Sequence, residues 1–241
     1  MPHRYFDFSL TPGAVYATLT GSEAHHFSAV MRGKAGADLL LCDGKGTDYA
    51  ARVTAVEKDA VQLEILSFAP SVCEAGIAAT IYVGYPKQDK LEMIIQKATE
   101  LGAVRIVPFF SKFCVVTPKK EEQKNERYAR IALEAAKQCG RGIIPAVSMP
   151  LSYKEMLADA VQNDVALFCY EAGGVPLHSR LNGVKSVGII TGSEGGFSPE
   201  EAAAAAEAGC ASIGLGPRIL RCETAPTAAL AAVMTLTGNL Q

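Results

Sequence analysis

From residue 79 onward the chain alternates between two hydrophobic periods, and that alternation restricts it to one class of fold. Short apolar runs, ATIYVG at 79–84, VRIVPF at 104–109, VALFCYE at 165–171, SVGIITG at 186–192 and ASIGL at 211–215, read as strands buried on both faces. Between them the apolar spacing becomes helical. Leu91, Ile94, Ile95, Ala98 and Leu101 share one face behind a predicted N-cap at Asp89, with Glu92 three residues on and Gly102 as the stop. Tyr128, Ile131, Ala132 and Ala135 repeat in the same way before Gly140, and a further helix is expected around YKEMLADAVQ at 153–162. Ser198 with Pro199 and Glu201 opens another helix that Gly209 closes, and Thr224 to Thr237 form the last. Strands alternating with helices imply an α/β domain built on a parallel sheet.

The first part of the chain reads differently. VYATL, DLLLCDG, DYAARVTAV and AVQLEIL are short β-type runs separated by glycine or charge, so residues 1–70 form a small, mostly β unit. SFAPSVCEAG at 67–76 is the expected linker, and residues 71–241 form the α/β domain. The whole length of 241 residues suits a small domain followed by a medium one.

Composition excludes several functions. The seven cysteines form no CxxC pair and none lies near the four histidines, so reduced thiols in a cytoplasmic protein are expected, with no metal. No signal peptide is visible, and the uncharged stretch 224–241 contains Pro226, Gly238 and Asn239, which suits a buried helix better than a membrane anchor. A net charge of −2 gives no global attraction to nucleic acid, so any RNA binding needs local patches. Lys119, Lys120, Lys124, Arg127 and Arg130 are interspersed with glutamates and read as a solvated helix face. His25 and His26 read as packing groups of the small domain.

Two loops follow strands of the α/β region, where open parallel sheets hold their ligands. The first is Gly192-Ser193-Glu194-Gly195-Gly196. A glycine loop at a helix start suggests phosphate, but Glu194 would repel it and suits hydroxyls, an amine or a cation. No GxxxxGK[ST] or GxGxxG occurs in the chain. The second loop runs from Leu215 to Ala225 and mixes Arg218, Arg221 and Glu223 with apolar residues. Each polar residue has a plain alternative: Glu223 with Thr224 as a cap of the last helix, and Gln138 with Arg141 as the close of a helix C-terminus.

GSEGGFSPEE together with LGPRILRCETA resembles the SPOUT-class RNA methyltransferases, and specifically the RsmE family, which methylates N3 of a uridine in bacterial 16S ribosomal RNA. Supporting stretches are HRYF at 3–6, HHFSAVMRGKAG at 25–36, DGKG at 43–46, KQDKLEMIIQKATELGAVRIVPFFS at 87–111 and EAAKQCGRGIIP at 134–145. The family usually carries proline where this chain has Ser193, and Gly-Asp where it has Gly36-Ala37-Asp38. The resemblance implies a SPOUT-type parallel sheet with a C-terminal trefoil knot, preceded by a PUA-like β-barrel that helps hold RNA. It also implies a homodimer and S-adenosyl-L-methionine as cofactor, held by Gly192, Glu194, Gly195, Gly196, Leu215, Gly216, Ile219, Leu220 and Thr224. Methylation of N3 requires loss of the imide proton. Arg221, with Arg141 or Lys87, is expected to stabilise the anion, and Glu194 or Glu223 to take the proton. Arg4, Arg32, Lys34 and Lys87 are the expected RNA contacts, with the 16S rRNA of an assembled or assembling 30S subunit as partner. The competing readings are methylation of a ribose 2′-hydroxyl or another base, a catalytically silent RNA-binding module, and a nicotinamide-dependent enzyme disfavoured by the missing glycine fingerprint.

Overall fold

The computed structural model describes residues 4–115 and 121–240, so Lys119 and Lys120 of the expected basic helix face lie outside the described residues. The chain divides into two compact units.

The first unit comprises residues up to Glu74 together with 136–144. Its strands are β1 (Arg4–Phe6), β2 (Tyr16–Thr20), β3 (Asp38–Cys42), β4 (Thr47–Val56) and β5 (Ala60–Pro70), in the sheet order β1-β3-β4-β5-β2. Only the β1–β3 pairing is parallel. A short helix α1 (Gly21–His25) and a π turn over His26–Val30 cover the sheet. β5 overruns the stretch read as linker, because β4 keeps pairing with it as far as Thr47 opposite Pro70. Register shifts at Ala50/Ala51 and Val53/Ala55 curl this long ribbon. Alternation along β2, buried at Ala17 and Leu19 and exposed at Tyr16, Thr18 and Thr20, sends one face into a core with Tyr5, Phe27, Leu41, Tyr49 and Leu63. His25 and His26 are exposed rather than packed in this core, and His26 meets it only at its edge, its Nδ1 lying 3.2 Å from the Tyr5 hydroxyl.

The second unit, residues 75–135 and 145–241, carries β6 (Ala78–Gly84), α2 (Lys90–Glu100), β7 (Ala103–Phe110), β8 (Ala146–Val147), β9 (Leu151–Ser152), α4 (Tyr153–Ala160), β10 (Val165–Cys169), β11 (Ser186–Thr191), α5 (Pro199–Glu207), β12 (Ala211–Ile213) and α6 (Thr224–Leu236). The helix α3 (Glu121–Cys139) precedes β8. The sheet runs β12-β10-β11-β6-β7-β8, with β9 also on β7, and every pairing is parallel. β6 and β11 are buried almost throughout, as the unbroken apolar runs required. α6 packs on α2, β6 and β11, burying Leu230 and Val233, and α4 packs on β7 and β11. Met156, Leu157, Phe168, Ile190 and Phe197 share one core cluster.

The helix starts show what sequence reading can and cannot fix. Ser198 and Glu201 form the reciprocal capping box, Glu201 N–H to Ser198 Oγ at 3.3 Å and Ser198 N–H to Glu201 Oε2 at 2.9 Å. Asp89 does occupy the cap position of α2, but its side chain accepts no capping hydrogen bond. Glu223 occupies the cap position of α6 in helical conformation, also without a side-chain cap bond, so the capping alternative for that glutamate falls away. The uncharged C-terminal stretch opens with the thirteen-residue helix Thr224–Leu236, and among the described residues no helix is long and apolar enough to cross a membrane.

Candidate functional site

The carboxyl ends of β10, β11 and β12, three adjacent parallel strands, release three loops that line one cavity of about 620 Å³. That is the position where strand-to-helix loops of a parallel sheet gather around a ligand, in a volume ordinary for small-molecule sites. Two of the loops are those singled out in the sequence. Of the expected residues, Gly192, Glu194, Gly195, Gly196, Leu215, Gly216, Ile219, Leu220 and Arg221 line the cavity, whereas Glu223 and Thr224 do not. The third segment, Cys169 at the end of β10 with Tyr170 and Glu171 after it, had no sequence signal because an apolar strand followed by a single acidic residue resembles any strand end.

The 192–196 loop is shaped by main chain. Gly196 adopts φ +64°, its N–H donates to Ser193 O at 3.0 Å, and Ser193 pairs with Gly196 as an isolated bridge. Gly84, at the end of β6, lets this loop approach: a Cβ there would lie 2.4 Å from Ser193 N. Ser193 is buried, and among the described residues its Oγ finds no hydrogen-bond partner. In the second loop Arg218, Ile219 and Arg221 are exposed, and Cys222 is buried.

Beside the cavity the charges converge. Glu194 Oε1 accepts the Lys87 backbone N–H at 3.0 Å and the Lys90 ammonium at 3.1 Å. Lys90 Nζ also lies 3.4 Å from Glu223 Oε2 and 3.6 Å from Cys222 Sγ, and the Cys222 thiol donates to Glu223 Oε2 at 3.2 Å. Burial alone would raise the Glu194 pKa, but its backbone hydrogen bonds and Lys90 outweigh burial and hold it below the usual carboxylate range. The Cys222 hydrogen bond, backbone donation and Lys90 likewise lower that of Glu223. Burial, with the neighbouring carboxylates, pushes the Cys222 thiol up to about 12, so it remains protonated.

The remaining expected residues have other surroundings. Arg141 is buried, not among the cavity-lining residues, and engages Glu74 through Nε at 3.2 Å and a terminal nitrogen at 2.7 Å. Glu74 Oε1 also accepts Gly142 N–H and Ile143 N–H, so this carboxylate ties the 141–143 segment into the first unit. Arg4 is likewise committed, both terminal nitrogens bonding Asp48 at 2.7 and 2.8 Å with the side chain 8% exposed. Arg32, Lys34 and Lys87 are exposed. Among the described residues no cluster of three histidine, cysteine or acidic groups is arranged to hold a metal ion.

An "RNA methyltransferase domain" model matches residues 73–234, and an "RNA methyltransferase PUA domain" model matches residues 19–66. The chain is 36% identical over 234 residues to the ribosomal RNA small subunit methyltransferase E of Bacillus subtilis, covering 93% of this chain and 91% of that one. Among solved structures, the ribosomal RNA small subunit methyltransferase E of Neisseria gonorrhoeae bound to S-adenosyl methionine superposes with TM-score 0.88 at 30% identity, covering 98% of each chain. A methyltransferase from Legionella pneumophila in complex with the same cofactor gives 0.84 at 27% identity, again covering 98% of each.

Proposed function

The chain belongs to the RNA methyltransferase family of the ribosomal RNA small subunit methyltransferases E, and from that premise we propose that it methylates N3 of one uridine in 16S rRNA. It is an S-adenosyl-L-methionine-dependent methyltransferase of small-subunit ribosomal RNA. The observation that carries the reading is the cavity at the carboxyl ends of β10, β11 and β12, walled by glycine main chain and aliphatic groups with a carboxylate held ionised at its edge. These residues fit such a cofactor. Main-chain groups and Leu215, Ile219 and Leu220 suit a neutral base, Glu194 opposes a positive charge, and the buried Ser193 hydroxyl adds an unsatisfied polar atom to the same loop. When bound, S-adenosyl-L-methionine supplies an electrophilic methyl group on a sulfonium sulfur.

The protein's own groups then have three tasks. Gly192, Gly195, Gly196 and the 215–220 backbone hold and orient the cofactor, whereas Thr224 stands outside the cavity lining and has no part in it. Arg221, exposed on the cavity wall, donates to the carbonyl oxygens that carry the charge of the ionised uridine imide. Glu194, the one of the two glutamates that faces the cavity, accepts the imide proton; Glu223 supports it through Lys90. Arg141 has a buried structural tie instead, which argues against a part in the chemistry. Arg32, Lys34 and Lys87 are exposed and suit contact with the RNA backbone, whereas Arg4 is already engaged by Asp48. An unstacked uridine in the small subunit, outside any duplex that would hide N3, is the substrate this site accommodates. We further propose a homodimer, a knotted C-terminal segment and action in the cytoplasm on assembled or assembling 30S particles.

Small subunits lacking the modification, incubated with the protein and methyl-labelled cofactor, test the reading. Label recovered in 3-methyluridine supports it, and label in a 2′-O-methyl nucleoside or another base refutes it.

A further inference from the structure

Lys90 is the first residue of α2, and the sequence assigns it nothing beyond a helix start. Its ammonium nevertheless meets groups from two other loops: Glu194 after β11, 104 residues away, and Cys222 and Glu223 before α6, Cys222 being 132 residues away. The turn leading into α2 adds a second hold on Glu194 through the Lys87 N–H, made possible by Gln88 at φ +57°. The groups facing Lys90 are therefore Glu194, Glu223 and the protonated Cys222 thiol, with the main chain of its own turn behind them. The side chains of Lys90, Glu194 and Glu223 are 27, 29 and 25% exposed, so water screens their charges only in part.

We propose that Lys90 is a positioning residue that holds two ionised carboxylates together and sets the charge of this cluster at minus one, so that the site prefers the cationic cofactor to its neutral demethylated product. This rests on the cofactor reading above. Within this cluster one ammonium against two carboxylates leaves a single negative charge, which a sulfonium neutralises and a thioether does not; Glu171, Arg218 and Arg221 of the same cavity lining are unchanged by a substitution at Lys90 and so drop out of the comparison between variants. Without Lys90 the two carboxylates would face each other with charge minus two. Near-neutral and alkaline solution would then strengthen the preference for a cation, and in mildly acidic solution one carboxylate would take up a proton and cancel the gain. Lys90 thus makes the discrimination independent of pH in the working range.

Calorimetric titration with S-adenosyl-L-methionine and with S-adenosylhomocysteine tests this without turnover. The two ligands share their nucleoside and amino acid groups, so the ratio of their Kd values reports the sulfonium charge. Wild type is expected to keep a constant ratio between about pH 6 and about pH 8.5. In Lys90→Met the ratio should rise roughly tenfold at the higher pH and fall back towards wild type at the lower, and Lys90→Arg should restore the flat profile. A Lys90→Met protein that loses affinity for both ligands equally at every pH overturns the proposal and leaves Lys90 a purely structural tie. Wild type that binds neither ligand overturns the cofactor reading and the proposal with it. Should Lys90→Met fail to fold, Glu223→Gln, which makes the cluster neutral, is expected to lower the ratio severalfold, and an unchanged ratio there refutes the charge argument.

Discussion

Replacing Gly84 by alanine places one methyl group between two adjacent strands at the point where the 192–196 loop leaves the sheet. The added Cβ would lie 2.4 Å from Ser193 N and 2.8 Å from the Gly192 carbonyl carbon. Both are main-chain atoms, so no side chain can rotate away, and ordinary contact near 3.4 Å requires the 192–193 backbone to retreat by about 1 Å. β6 cannot yield instead, since it is paired with β11 from Ala78 to Val83 and with β7 through Gly84. Overpacking of this kind costs about 1–3 kcal/mol, which for a chain of this size lowers Tm by several degrees. The larger effect falls on function, because a displacement of about 1 Å in a positioning element is worth up to about 100-fold in rate. Gly76→Ala is the control: there the Cβ meets only Asn239 Oδ1, at 3.4 Å. Calorimetry with S-adenosyl-L-methionine and single-turnover methylation measure the two effects, with circular dichroism establishing the fold. A folded Gly84→Ala protein with wild-type cofactor affinity and rate would refute the claim that this glycine seats the loop.

Arg141→Ala is expected to destabilise by about 3–5 kcal/mol, since it strands the Glu74 carboxylate in a largely buried setting; guanidinium unfolding measures it, and turnover per folded molecule should stay near wild type. Arg221→Ala should lower kcat by about 100- to 1,000-fold while cofactor Kd changes little, read by steady-state kinetics beside calorimetry. Ser198→Ala, which removes one half of the capping box, should cost about 1 kcal/mol in thermal unfolding with no change in cofactor affinity. The lowered pKa values of Glu194 and Glu223 give stability that is fully present above the ordinary carboxylate pKa and is lost as pH falls through their lowered values. Differential scanning of wild type against Glu194→Gln should therefore show a gap at neutral pH that closes in acid.

The sequence was most legible where structure is local. The apolar runs of β6 and β11, the spacing of Leu91, Ile94, Ile95 and Ala98, and the Ser198 capping box each depend on neighbours a few residues away, so their outcome was set before any tertiary contact. The two glycine-bearing loops were legible as cavity-lining segments for the same reason, since a strand end, a glycine and a helix start are all local signals. The surroundings of Arg141 were not legible, because an arginine near a glycine looks alike whether it reaches a ligand or, as here, a carboxylate 67 residues earlier in the chain. Arg4 and its Asp48 partner follow the same pattern.

By itself, then, the sequence determined the α/β alternation, the small β-rich unit before it, and the family to which the motifs belong. Only the tertiary structure decided which charges meet. It set Lys90 between Glu194 and Glu223, brought the unremarked 169–171 loop to the cavity, and seated Ser193 against Gly84. The reason is physical: hydrophobic periodicity and capping act over one or two turns of chain, whereas an ion pair forms between whichever side chains the sheet order carries within a few ångströms.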